Sequence, residues 1–308
     1  MAAGPETCVQ NAAVLPEERT SSMPGAFLLL TKPGIVLAET AAGFTGMLLA
    51  SRGLLPAATI VFLSLLTLVM AASSAAMINC ILDAAADRLM PRLAARSRAL
   101  ASIGKDRVLI IALLLMGGAF ILAALFLNGP TLLLLAAACS SYLLLYTCWL
   151  KRCSPWGVLA GAIPGALPPL IGAAAVTGNV SALPLLLGMV IFIWQLPHFW
   201  FLALQYCDQY QQAGIPVLPL TGGIQLTKRL TLLSAAALLP ATLSFRLLGN
   251  FSPGFILGTL LTGILFTLLC HRFLYRTSEY RKGFIISLVY LAVILMALIT
   301  DIIGTMIS

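Results

Sequence analysis

Asn79, Asp83 and Asp87 recur at intervals of four residues in NCILDAAADRLMPRLAARSRAL (79–100), and Arg88, Arg92, Arg96 and Arg98 follow at once. On a helix, each step of four drifts by about 40° and climbs about 6 Å, so the three line one face for about two turns. Three oxygen-bearing side chains on one face suit a hard cation such as Mg2+. Guanidinium groups a turn or more beyond suit phosphate, which they grip bidentately. Carboxylate, metal and phosphate together serve one need: a diphosphate leaving group departs only when its charges are neutralised. The bland alternative is a helix end whose exposed acids merely balance the arginines. Only ten acids occur in 308 residues, which favours the chemical reading.

The elements that must hold these residues are apolar. The chain is 60% hydrophobic and 9% charged, with a mean hydropathy of +1.03. Soluble domains carry roughly 25% charged residues. Apolar runs of about 18 residues or more recur along the chain, which predicts a polytopic membrane protein. The weak alternation of a barrel is absent, so the expected fold is an all-α bundle of nine transmembrane helices around a central cavity. The expected spans are 28–50, 57–82, 107–127, 131–150, 156–177, 182–206, 229–249, 253–271 and 284–307. The fifth, GVLAGAIPGALPPLIGAAAVTG, is rich in Gly, Ala and Pro, which places it inside the bundle near a cavity.

With these spans, 16 of the 18 basic residues fall on one side, and only Arg52 and Arg246 on the other. The positive-inside rule puts the N-terminus in the cytoplasm and the C-terminus outside. The net charge of +8 is then a matter of topology and anionic lipid, not of nucleic acid, since no basic stripe is interleaved with aromatics. Residues 1–25 read as a disordered cytoplasmic tail, without the features of a signal or transit peptide, and 26–308 as a single membrane domain. Seven cysteines include no CxxC pair, and neither a disulfide framework nor a zinc site is expected.

A second polar stretch, WQLPHFWFLALQYCDQYQQAGIPVLP (194–219), follows the sixth span. Asp208, Gln209 and Tyr210 lie near Gln195, His198 and Tyr206. An antiparallel bundle can set this stretch across a cavity from Asn79, Asp83 and Asp87, with one acidic wall from each side. Taken alone, it would pass for an ordinary wet loop. His198 has two readings: a haem contact or proton carrier, or a packing histidine bonded to a carbonyl. His271 reads as interfacial.

At these stretches the sequence resembles the UbiA-type intramembrane prenyltransferases, through the NxxxDxxxD pattern after a second membrane helix. Within that superfamily it is similar to the haem O synthases (protohaem IX farnesyltransferases). The resemblance is carried by LTKPGIVLAET (30–40), NCILDAAADRLMPR (79–92), YTCWLKRCSPWGVLAGAIPGALPPLIGAAAVTG (146–178), WQLPHFWFLALQY and AGIPVLPLTGG, up to residue 223. It implies that farnesyl diphosphate binds with its tail among the helices. Mg2+ would be held by Asn79, Asp83 and Asp87, with Asp208 from the facing wall. Lys32, Arg88, Arg92, Arg96 or Arg98, Lys151, Arg152, Gln195 and Tyr206 would bind substrate, and Tyr210 and His198 would join the catalytic set. Ionisation gives an allylic cation, the vinyl group of haem b attacks it, and water completes a hydroxyethylfarnesyl side chain. A dry, apolar or aromatic-lined cavity suits such a cation. The implied setting is the bacterial inner membrane, near terminal-oxidase or haem A assembly factors.

The sequence departs from the family pattern in three places. Ala84-Ala85-Ala86 replaces the acid-rich centre of DRDID, Leu93 stands at the Thr of MxRTxxRPL, and Gln209 precedes Tyr210 where an Asp is usual. Glu39, in the first span, compensates in part if it faces the cavity. Two other readings stand beside the first: a prenyltransferase for an aromatic or quinone precursor, and a non-catalytic haem-handling or transport protein.

Overall fold

The computed structural model describes residues 22–307 apart from 52, 53 and 55. Residues 1–21 of the expected tail, with Arg19, lie outside the described residues, as does Arg52. Among the described residues nine helices are long and apolar enough to cross a membrane: α1 (Pro33–Ala50), α2 (Ala58–Leu82), α3 (Lys105–Phe126), α4 (Gly129–Cys153), α5 (Gly157–Thr177), α6 (Ala182–Gln205), α7 (Ile224–Leu248), α8 (Pro253–Arg276) and α9 (Tyr280–Gly304). No strand occurs among them. Apolar side chains permit these lengths in lipid, and the helix satisfies its own backbone there. Side chains close two helix starts: Asn128 accepts from the Thr131 amide at 3.0 Å, and Ser252 from the Phe255 amide at 3.1 Å.

Four boundaries differ from expectation by four residues or more. The expected first span, 28–50, is two helices. Met23–Thr31 stops at Lys32, which takes φ 53° and ψ 63°, and α1 restarts at Pro33. Proline has no amide to give and disfavours the right-handed helix in the residue before it. α7 begins at Ile224, so Lys228 and Arg229 lie within the helix, and the Lys228 side chain is buried against Tyr275 and Tyr280. α8 runs on to Arg276 through a widened turn, and α9 already starts at Tyr280.

α1 is central, packing against α2, α5, α6 and α9, while α3 and α4 flank α2 on one side, α7 and α9 pack against α6 on the other, and α8 packs against α7 and α9. α5 is the most buried of the nine, as its small residues predict. A Cβ on Gly46 would fall 2.1 Å from the Pro169 carbonyl oxygen, and one on Gly172 would fall 2.1 Å from that of Gly43. Only glycine lets α1 and α5 approach so closely. The largest apolar cluster joins α1, α6, α7, α8 and α9, with Phe201, Phe245 and Leu274 fully enclosed. α5 is broken at Leu167 between Pro164 and Pro168, and α4 is widened between Ser141 and Leu150. The widened turn lies next to the polar cluster described below, where irregular backbone is tolerated inside a membrane protein.

Candidate active site

α2 ends at Leu82, and a short helix, Ala84–Arg88, follows after Asp83. The polar residues here are deeply enclosed: Asn79, Asp83 and Asp87 are 3%, 2% and 4% exposed. Buried charges persist only when paired and hydrogen-bonded. The Asn79 amide nitrogen donates to Asp83 Oδ2 at 2.8 Å and to Thr147 Oγ1 at 3.1 Å. Its oxygen accepts from Lys32 Nζ at 2.5 Å, and Lys32 also reaches the Tyr142 hydroxyl at 3.2 Å. Asp83 pairs with Lys151 and, at 3.4 Å, with Arg152, which also donates to the Leu82 carbonyl at 2.9 Å. Asp87 takes both Arg96 Nε (3.0 Å) and Arg96 Nη2 (2.5 Å) on one oxygen.

The left-handed turn at Lys32 aims its ammonium at Asn79. Such a conformation costs a non-glycine residue roughly 1–3 kcal/mol and persists only where the surroundings fix it. Burial pushes the Lys32 pKa down from the ordinary lysine value. For Arg96, burial alone would act the same way, but the Asp87 carboxylate outweighs it and the net shift is upward.

The widened turn of α4 does the same positioning work from the other side. Thr147 Oγ1 donates to the Tyr142 carbonyl at 2.8 Å, and Arg152 Nε donates to the Thr147 carbonyl at 3.3 Å. Steps of five residues thus bring Tyr142, Thr147 and Arg152 to one side, facing α2 and Lys32. Tyr142 and Thr147 were not expected from the sequence, because the five-residue step between them fits no α-helical face. The signal that could have found them is polar content in an otherwise leucine-rich span.

The second polar stretch meets the first through Arg92. Its guanidinium donates to the Tyr210 hydroxyl at 2.8 Å and lies 4.6 Å from the Tyr206 ring and 4.9 Å from the Tyr210 ring. Its Nε is buried without a hydrogen-bond partner. Asp208 does not join the acids. No three His, Cys, Asp or Glu gather to hold a metal among the described residues, and Asp208 is half-buried with no ion pair. The facing acidic wall is therefore corrected to an arginine–tyrosine contact, because the short helix Cys207–Gln212 turns Tyr210, not Asp208, toward Arg92.

Three more expected residues lie elsewhere. His198 stacks between Trp194 (4.7 Å) and Phe284 (4.4 Å), with Nδ1 2.8 Å from the Ser287 hydroxyl. It faces α9, away from the acids. Gln195 donates to the Ala162 carbonyl of α5 at 3.2 Å. Arg98 is exposed without an ion pair among the described residues, whereas Arg96 pairs with Asp87. Arg88 is exposed and lines, with Asp87, Arg96 and Lys105, a cavity of about 280 Å³.

The donors that remain together are the Asn79 amide oxygen and the carboxylates of Asp83 and Asp87. Buried, oxygen-only and anionic, they fit a hard divalent cation. Lys151 and Arg96 stand in this structure where such an ion would balance the carboxylates.

Comparison with known proteins meets this geometry. The UbiA prenyltransferase family profile matches residues 40–300. The chain belongs to the UbiA prenyltransferase family. It is 43% identical over 256 residues to a protoheme IX farnesyltransferase of Geotalea uraniireducens, covering 83% of this chain and 98% of that one. It is 36% identical over 276 residues to the enzyme of that name from Aquifex aeolicus, covering 89% and 94%. A UbiA homologue from Aeropyrum pernix shares the fold with a TM-score of 0.74 at 21% identity, over 88% of this chain and 98% of that one. One from Archaeoglobus fulgidus, bound to GPP and Mg2+, gives 0.69 at 15%, over 89% and 99%. The chain is thus a multi-pass membrane enzyme of the prenyltransferase class.

Proposed function

We propose that this enzyme transfers the farnesyl group of farnesyl diphosphate to a vinyl group of haem b, giving haem O and diphosphate. The observation that carries the chemistry is the buried cluster in which two carboxylates are matched by Lys151, Arg152 and Arg96, with Lys32 and Arg92 alongside. The acceptor rests on the named relatives.

Asn79, Asp83 and Asp87 would hold Mg2+, which when bound neutralises charge on the departing diphosphate. Lys151, Arg152 and Arg96 turn from the carboxylates to phosphate oxygens, trading one charge-assisted partner for another. Lys32 adds its ammonium from the α1 side, held in place by Asn79 and Tyr142. The unpartnered Nε of Arg92 supplies a further donor, with Tyr206 and Tyr210 fixing the plane of the guanidinium. The farnesyl tail lies among α1, α4, α5 and α6, where water is scarce and the allylic cation survives long enough to meet the alkene. Placed outside this cluster, His198 and Gln195 serve the acceptor side or the packing of α6.

The single membrane domain lies in the bacterial inner membrane with its N-terminus in the cytoplasm, supported by the lopsided basic residues. Its product supplies the terminal-oxidase or haem A assembly factors of that membrane.

The test incubates purified protein in lipid with haem b, farnesyl diphosphate and Mg2+, and reads haem O by mass. Product that vanishes with a chelator and returns with Mg2+ is expected. Haem b recovered unchanged, with an aromatic acceptor prenylated instead, refutes the acceptor.

A further inference from the structure

Glu39 is the one acid in the middle of a described span. Asp106 is exposed in the first turn of α3, and Asp301 is tied to the Ser252 hydroxyl at the outer end of α9. Glu39 is half-buried and makes no hydrogen bond or ion pair among the described residues. A carboxyl at that depth without a partner is expensive for a membrane helix to carry. Its position says which way it faces. It is the seventh residue of α1, which starts just after Lys32, so it sits about two turns and about 10 Å into the helix from the Lys32 end. Lys32, Tyr142 and Cys139 all lie within electrostatic reach of its carboxyl. Since Lys32 and Tyr142 belong to the polar cluster, Glu39 lies beneath that cluster, on the side where the chain beyond C1 of the substrate must run.

The inference rests on the farnesyl-transfer reading, and concerns a step that none of the phosphate-binding residues can perform. When the terminal vinyl carbon bonds to farnesyl C1, diphosphate leaves with the electrons of the C–O bond. Positive charge then rests on the vinyl carbon attached to the porphyrin. Quenching it by water forms a C–O bond, and one O–H bond must break. The electrons of that bond return to oxygen, and the proton needs an acceptor inside the cavity. Lys32, Lys151 and the arginines are donors turned toward the diphosphate there, and Asp83 and Asp87, released from their basic partners, would be engaged by Mg2+. We propose that Glu39 is the catalytic base of the second half-reaction, taking the proton from the water that quenches the alkylated haem cation.

The experiment uses the full chain in lipid nanodiscs with haem b, farnesyl diphosphate and Mg2+. Diphosphate, the hydroxylated prenyl haem and its alkene counterpart, lighter by one water, are measured together. In Glu39→Gln, diphosphate release and C–C bond formation continue, while hydroxylated prenyl haem per diphosphate falls by about 100-fold, and the alkene formed when the cation sheds a neighbouring C–H proton accounts for the difference. Glu39→Asp recovers part of that ratio. Glu39→Ala regains it on addition of formate, which supplies a carboxylate to the vacated space and keeps the test alive if the glutamine variant folds poorly. An unchanged ratio of hydroxylated prenyl haem to diphosphate in Glu39→Gln, whether both rates fall or neither does, overturns the assignment, as does Glu39→Ala that formate leaves unaltered. If the native protein also releases diphosphate without prenylating haem, the functional reading has failed and this one with it.

Discussion

Replacing Asp83 by asparagine keeps the shape of the side chain and removes the charge on which two cations converge. Asp83 is 2% exposed, and the Lys151 side chain facing it 16%. Arg152, at 50%, is solvated enough to add little. Breaking a fully buried pair costs about 3–5 kcal/mol because the partner is stranded. With Lys151 partly open to water, about 2–3 kcal/mol of stability should go. Turnover should fall further. An anionic metal ligand is lost together with the orientation of Lys151, two charge-assisted contacts of roughly 1.5–3 kcal/mol each. That corresponds to at least about 100-fold in kcat/KM. The assay is haem O formation by mass, beside thermal unfolding in the same detergent. The double variant Asp83→Asn/Lys151→Met separates the two effects. It removes both charges, so stability should return to within about 1 kcal/mol of the native protein, while activity stays lost. An Asp83→Asn enzyme within about fivefold of native, with the same Mg2+ requirement, would refute the role given to this carboxylate.

Arg96→Ala should lower turnover at least tenfold, roughly the loss of one charge-assisted pair, whereas Arg98→Ala changes little; kcat/KM for farnesyl diphosphate decides between them. Arg92→Lys should raise KM for farnesyl diphosphate about as much as Arg92→Ala, since an ammonium cannot reproduce a guanidinium stacked on Tyr206 and bonded to Tyr210. Burial lowers the Lys32 pKa, so the ammonium is lost at lower pH than in an exposed lysine. Farnesyl diphosphate binding should therefore weaken on the alkaline side, and Lys32→Arg should carry that limb to higher pH in a titration of KM. The linked effect on stability has the opposite sign. The unfolded chain holds this proton more tightly, so the Lys32 contribution rises as pH climbs from the lowered value toward the ordinary one near 10.5. Gly46→Leu drives a side chain into the Pro169 carbonyl and should cost about 3 kcal/mol or more, seen as a lower melting temperature or failure to accumulate.

The nine spans were legible because apolar length is a strong signal, and the Asn79–Asp83 pair because i, i+4 spacing survives the helix end that falls between Asp83 and Asp87. The basic partners on Asp83 could be named from LKRC (150–153) only by resemblance, since nothing in spacing alone joins residue 83 to residue 151. His198 falls inside the sixth span as expected; what spacing could not show is that α9 supplies its neighbours, Ser287 and Phe284. In the helix that follows, Tyr210 and not Asp208, two residues before it, meets Arg92, a difference hydropathy does not resolve. The bend at Lys32 was hidden because a lone Lys-Pro reads equally well as the beginning of one continuous span.

The widened turn of α4 carries a consequence for how this protein tolerates insertions and deletions. An α-helix advances by 100° per residue, so a stretch bonded at five-residue steps amounts to an added residue that has been absorbed without breaking the rod. Everything beyond it is set in phase by that surplus. Deleting one residue between Leu143 and Tyr146 would let α4 relax to an ordinary helix of nearly the same length and hydropathy. Lys151 and Arg152 would then swing about a quarter-turn away from Asp83. Such a chain would still insert and pack, yet its two halves would be out of register like a screw cut with the wrong pitch. In this fold, frame within a single span is as much a part of the chemistry as the identity of any side chain.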